Sequence, residues 1–186
     1  MLRLILVIAA LILFLATLVG GGAAMRRRKI DMEGLPPINR SLFRLSKLAM
    51  VVPWGFMVLQ CAGVNLSPFK VPRALEWVSI ILWILGFGLM FAGRIGLGNS
   101  FRVGCARERT LLITDGIFRY SRNPIYLGMD MTFLAATLYT LNPLVLIVGA
   151  VLAVIHHRII LAEDKCLGKM IGQEYDDYSR RVGRYL

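Results

Sequence analysis

Acidic residues are scarce in this chain: 11 Asp and Glu stand against 22 Lys and Arg, a formal net charge of +11 over 186 residues. Histidine is scarcer, with His156 and His157 the only two, and there are three cysteines. No CxxC occurs, and adjacent histidines on a helix diverge by about 100°, so one metal would not readily take both. No metal is expected, and the two histidines read as polar residues at the end of an apolar helix. Cys61 lies within an apolar run, while Cys105 and Cys166 fall on the side that the charge pattern makes cytoplasmic. Thiols stay reduced there, so no disulfide framework is expected. The glycines at 93, 96 and 98 do not form GxGxxG and follow no strand, so they are a weak nucleotide signature and read rather as a helix end with a C-cap or a close backbone approach. The positive charge alone would suggest nucleic acid. The basic residues sit between long apolar stretches, however, with no free basic helix or aromatic platform, and nucleic-acid binding is not expected.

What is abundant is apolar sequence, 57% of the chain, with mean hydropathy +0.66. A bilayer core asks for about 20 apolar residues in a helix. Five stretches come near that length, at residues 2–24, 45–64, 74–91, 125–141 and 144–161. The fourth and fifth are the shortest and are joined only by Asn142-Pro143, which predicts a tight helical hairpin that need not span fully. The fold class is therefore all-α: a polytopic membrane protein of about five transmembrane helices ending in a cytoplasmic C-terminal helix. It reads as a single membrane domain, 1–186, with three N-terminal spans in 1–95 and the chemistry in 96–186.

Lys and Arg set the orientation. With the N-terminus outside, all of them except Arg3, Lys70 and Arg73 fall inside. The first apolar run ends in Arg26-Arg27-Arg28-Lys29, a stop-transfer flank that favours an anchor over a cleaved signal peptide. Pro53 is placed to kink the second span, and Trp77 suits a membrane interface.

The chemistry concentrates where a basic loop enters the fourth apolar run, at Gly116-Ile117-Phe118-Arg119-Tyr120-Ser121-Arg122-Asn123-Pro124-Ile125-Tyr126-Leu127-Gly128. Pro124 suits the first turn of a helix and Asn123 is placed to cap its free amides. That helix start, with Arg119 and Arg122 beside it, could hold a carboxylate or phosphate. Asp130 follows about one and a half turns into apolar sequence. An isolated ionised Asp is costly there, so a hydrated cavity or a partner is expected, with Tyr126 on the same face. Past the fifth run, Glu163-Asp164 stand where the chain leaves the bilayer. They could bind ribose hydroxyls or balance a sulfonium, or pair with Arg158. Leu167, Ile171, Tyr175, Tyr178 and Val182 then recur at helical spacing.

These two blocks, in this order, resemble the isoprenylcysteine carboxyl methyltransferase and phospholipid methyltransferase superfamily of membrane enzymes. The resemblance covers about residues 96–184; the first three spans match in hydropathy alone. It implies S-adenosylmethionine-dependent methyl transfer to a lipid-like acceptor entering from the bilayer. Carried over by position, Gly116, Tyr120, Arg122, Asn123, Pro124, Tyr126, Leu127 and Gly128 would line a cofactor pocket closed by Glu163 and Asp164. The chain departs from the pattern with Asn123 in place of His, Asp164 in place of Glu, and Gly183 where many members have Pro.

Methyl transfer from a sulfonium needs positioning and desolvation more than covalent help. A carboxylate acceptor would want an arginine, Arg122 or Arg158, to orient it. An amine acceptor would want a base, Asp130 or Glu163. Two alternatives remain: an NADPH-dependent sterol-reductase-like enzyme, echoed by Glu163-Asp164-Lys165-Cys166, and a non-catalytic membrane scaffold whose basic face gathers anionic lipids.

Overall fold

The structure, a computed structural model, describes residues 1–27, 34–105 and 111–186. Arg28, Lys29, Arg107 and Arg109, counted above toward the basic side, lie outside the described residues.

Among the described residues seven α-helices follow one another: α1 (Leu2–Arg27), α2 (Arg40–Ala49), α3 (Val51–Cys61), α4 (Arg73–Leu97), α5 (Pro124–Thr140), α6 (Pro143–Ile171) and α7 (Gln173–Arg181). Among the described residues there is no strand, only an isolated antiparallel bridge between Leu35 and Cys105. Four stretches among these residues are long and apolar enough to cross a membrane: α1, α2 with α3, α4 with the turn that follows it, and α6. The 17 residues of α5 fall short of the roughly 20 that a bilayer core asks for. The expected second span is two helices that meet at Met50. Pro53 has no N–H to offer the carbonyl four residues earlier, which accounts for the break.

The polar ends tie α1 to α4 in parallel. Arg3 pairs with Glu76 at one end, Trp83 donates its indole N–H to the Val7 carbonyl at 3.1 Å midway, and Arg94 reaches the Met25 sulfur at the other end. The core between them is aromatic, with Phe87 packed against Phe14, Trp54 and Trp83 at ring separations of 4.9–5.6 Å. A Trp54 indole N–H donated to the Thr132 hydroxyl at 2.9 Å brings α3 against α5.

The closest approach joins α4 and α5. A Cβ on Gly128 would stand 2.4 Å from the Gly86 carbonyl oxygen, and one on Gly86 would stand 2.7 Å from that of Gly128. Small residues of this kind let membrane helices meet backbone to backbone. The hairpin between α5 and α6 is as tight as expected. Leu141 takes a left-handed conformation, Asn142 caps the Leu144 N–H at 3.0 Å, and Pro143 opens α6.

Two expectations are corrected here. The chain does not leave its last span at Leu161 to begin a separate tail. No breaker intervenes before Gly172, so α6 continues for another ten residues and carries Glu163 and Asp164 on the same rod. Cys105 and Cys166 are joined in a disulfide, with Cα atoms 6.0 Å apart. Sequence spacing gives no hint of this pairing, because it arises from the loop after α4 folding over α6.

Gly128→Val should disrupt the crossing of α4 and α5, at a cost of about 1–3 kcal/mol from overpacking. Thermal unfolding in detergent should show the lowered midpoint, whereas Gly88→Val, on a face with nothing within 4 Å, should leave it unchanged.

Candidate active site

At the end of the bundle where Arg94 lies, a cavity of about 220 Å3 opens between the loop after α4, the start of α5, the last turns of α6, and α7. Leu97, Phe101, Leu112, Ile113 and Leu167 supply apolar wall; Arg122, Tyr126, Glu163 and Asp164 are among its polar groups, with Arg102, Asn123, Tyr175 and Tyr178 beside them.

The wall is held by Asp164. Its Oδ1 accepts from Arg122 Nη1 at 3.2 Å and from the Tyr175 hydroxyl, and its Oδ2 accepts from Arg184 Nε at 2.8 Å. The Arg122 N–H donates to the Gly183 carbonyl at 3.1 Å, and the Tyr178 hydroxyl donates to the Phe118 carbonyl at 2.7 Å. One carboxylate thus joins the approach to α5, the rod of α6, α7 and the tail beyond it. Burial, with Asp164 beside it, pushes the Tyr175 phenol well above its usual range, and burial pushes Tyr178 up to about 12. Both phenols stay protonated at neutral pH and remain donors.

Glu163 is differently placed. Its Oε1 accepts from the Tyr126 hydroxyl at 3.0 Å, and no Lys or Arg among the described residues pairs with it. It is the cavity carboxylate without a counter-charge.

Of the residues expected at the site, Arg122, Asn123, Pro124, Tyr126, Glu163 and Asp164 line this cavity. Gly116 and Tyr120 are exposed beyond its rim. Leu127 is not part of its wall, and Gly128 faces α4. Asp130 lies behind Tyr126, and Arg158 is exposed on α6. The expected cap by Asn123 is not made: its side-chain amide donates instead to the Arg184 carbonyl at 3.1 Å, tying the tail to α5.

A family model for phospholipid methyltransferases matches residues 75–174, which contain most of this wall. The chain belongs to the phospholipid methyltransferase family. Among solved structures, that of the eukaryotic intramembrane Ras methyltransferase, isoprenylcysteine carboxyl methyltransferase, is similar, with a TM-score of 0.60 and 25% sequence identity. The match covers 78% of this chain and 52% of that one, so this family member spans about half that structure's length. No curated protein matches the chain. Family and fold together support a membrane methyltransferase.

For this phospholipid methyltransferase family member, sequence reasoning missed His156, which is buried rather than interfacial and bonds Asp130. The signal was present: the hairpin turns at Pro143, and Asp130 and His156 stand at equal distances on either side of it. Tyr175 and Arg184, the other partners of Asp164, carried no such mark.

Asp164→Asn should leave Arg122 without its countercharge and detach α7, costing about 3 kcal/mol as for other broken buried pairs. Limited proteolysis should then clip the chain after α6 well before the bundle unfolds.

Proposed function

We propose that the chain transfers a methyl group from S-adenosylmethionine, held in the cavity beneath α7, to a lipid-like acceptor reaching it sideways from the bilayer. The observation that carries this reading is Glu163, a carboxylate in a largely apolar cavity that accepts from the Tyr126 phenol and the Gly104 backbone N–H and has no paired cation among the described residues. Such a group favours a cationic ligand, and the sulfonium of S-adenosylmethionine is one. The apolar wall around Phe101 and Ile113 suits a purine face. The cavity is smaller than the roughly 300–1,000 Å3 of ordinary ligand pockets, so binding asks the rim to yield. When bound, S-adenosylmethionine supplies a methyl group that is already activated.

The chain's own work is then to position and to exclude water. Tyr126 holds Glu163 by its hydroxyl. Asp164, with its lone pairs engaged by Arg122, Tyr175 and Arg184, keeps the wall in place. Asn123 and Pro124 form the edge nearest the tail. In this reading Gly116, Tyr120, Leu127 and Gly128 frame the site and do not touch the ligand.

The distribution of Lys and Arg supports a cytoplasmic position for the cavity end, with the N-terminus outside. The disulfide at its rim then faces a reducing compartment, where such bonds are usually transient. In oriented membrane vesicles, an impermeant maleimide should label Cys105 and Cys166 from the cytoplasmic side after mild reduction. Labelling from the opposite side alone would reverse the orientation.

Incubating membranes that contain the protein with methyl-labelled S-adenosylmethionine should deliver label to the lipid fraction. Glu163→Gln should weaken S-adenosylmethionine binding about tenfold or more, roughly 1.4 kcal/mol. S-adenosylmethionine should also raise the melting temperature of the purified protein, as a ligand of the native state does. A rise with NADPH and none with S-adenosylmethionine would favour the reductase-like reading and end this one.

A further inference from the structure

Behind the cavity wall formed by Tyr126, α5 and α6 hold a second ionisable pair that the cavity does not use. His156 Nδ1 lies 2.8 Å from Asp130 Oδ1. The imidazole is only 4% exposed, whereas the Asp130 side chain is 28% exposed. Tyr126 and Phe133 enclose the imidazole at ring separations of 5.4 and 5.6 Å. Because the Tyr126 hydroxyl donates to Glu163, a single aromatic ring separates the pair from the cavity.

A carboxylate one and a half turns into an apolar helix is costly unless something balances it. His156 serves one oxygen. The other accepts no hydrogen bond from a described residue, is not enclosed, and no Lys or Arg among those residues pairs with Asp130. An open carboxylate edge beside the cavity favours an acceptor that brings positive charge and disfavours one that brings a carboxylate. The arginines point the same way. Arg122 is already engaged by Asp164 and Tyr175, Arg102 on the cavity wall donates to the Asn99 and Phe101 carbonyls, and Arg158 is exposed and takes no part in the wall, so none of the three is placed on a carboxylate acceptor.

We propose that Asp130 and His156 form the proton-accepting element of the acceptor subsite, Asp130 meeting the protonated nitrogen of a lipid amine and His156 acting as the positioning residue that holds the carboxylate. This rests on the methyl-transfer reading above. The ammonium N–H bond breaks and its proton passes to the dyad. The freed nitrogen lone pair forms the bond to the methyl carbon as the carbon–sulfur bond breaks. That electron pair stays on sulfur, which becomes a neutral thioether, and the dyad returns its proton to water. The nitrogen keeps the positive charge, so charge and atoms balance.

The test uses the full-length chain in vesicles containing phosphatidylethanolamine, compared with vesicles containing a prenylated cysteine carboxylate. Wild type, Asp130→Asn and His156→Gln are assayed for turnover, for acceptor KM and, separately, for S-adenosylmethionine affinity. The expected result is a loss in kcat of about 10²-fold on the amine lipid for Asp130→Asn, the range of a missing general base, with cofactor affinity within about twofold. His156→Gln, whose amide can still donate to Asp130, should lose about tenfold, since a base held less firmly retains part of its effect. Raising the pH should restore part of the Asp130→Asn rate, because more of the amine is then neutral without help. The other titratable groups facing the pair are Tyr126, Tyr185 and, through Tyr126, Glu163, and all remain in that variant. Three outcomes overturn the proposal: an Asp130→Asn enzyme within threefold of wild type, a parallel loss of cofactor affinity, or wild-type methylation of the carboxylate but not the amine. A wild-type protein that binds no S-adenosylmethionine and labels neither acceptor refutes the methyl-transfer reading itself, and this proposal with it.

Discussion

The Asp164 carboxylate is the interaction on which the cavity-bearing half of this structure depends. Three donors from three different parts of the chain converge on its two oxygens: Arg122 ahead of α5, Tyr175 on α7 and Arg184 in the tail. None of these segments has a large apolar face of its own with which to dock. Helix α7 is nine residues long and mostly charged, buries little beyond Tyr175 and Tyr178, and a free helix of that length is marginal in water. A carboxylate accepting charge-assisted bonds from two guanidiniums is stronger than neutral hydrogen bonding would be, and it fixes direction as well as distance. The cavity exists because that carboxylate holds its far wall against α5.

The acidic pair at 163 and 164 therefore divides its labour. From the sequence both residues were equal candidates for a ligand. In the structure Asp164 is paired with two guanidiniums and Glu163 with no Lys or Arg among the described residues, although they are neighbours on one helix. Adjacent positions on a helix point about 100° apart, which is enough to send one side chain toward α7 and the other toward Tyr126. The same geometry separates the two histidines, His156 turning inward to Asp130 and His157 outward to the Tyr185 hydroxyl at 2.7 Å.

The helical fold was legible in the apolar runs, and the hairpin in Asn142-Pro143, because burial in a bilayer demands long uninterrupted hydrophobic segments. The two polar blocks were legible as one site because each stands where an apolar run meets basic sequence. Other features were not. The reach of α6 to Ile171 was hidden because hydropathy falls at Arg158 while helix propensity does not. The pairing of Cys105 with Cys166 and of Arg184 with Asp164 depends on loop paths that no periodicity encodes. Gly128 was read with the motif around it, yet its missing side chain serves the approach of α4, a demand set by a partner forty residues away.

The short α5 explains how a water-soluble cofactor and a lipid could share this site. A helix of 17 residues rises about 25 Å, less than the roughly 30 Å of a hydrocarbon core. With its far end fixed by the hairpin to α6, the deficit of about 5 Å falls at its start, beside Pro124 and the cavity. Asp130 then sits about 9 Å up the helix axis from Pro124 and roughly 14 Å inside the hydrocarbon boundary, a depth at which a carboxylate needs a partner such as His156. Tyr126 stands between that position and Glu163. A full-length fifth span would have carried the cavity end out to the hydrocarbon boundary, about 5 Å farther from the lipid interior. The length of α5 thus sets where the two halves of the proposed reaction can meet.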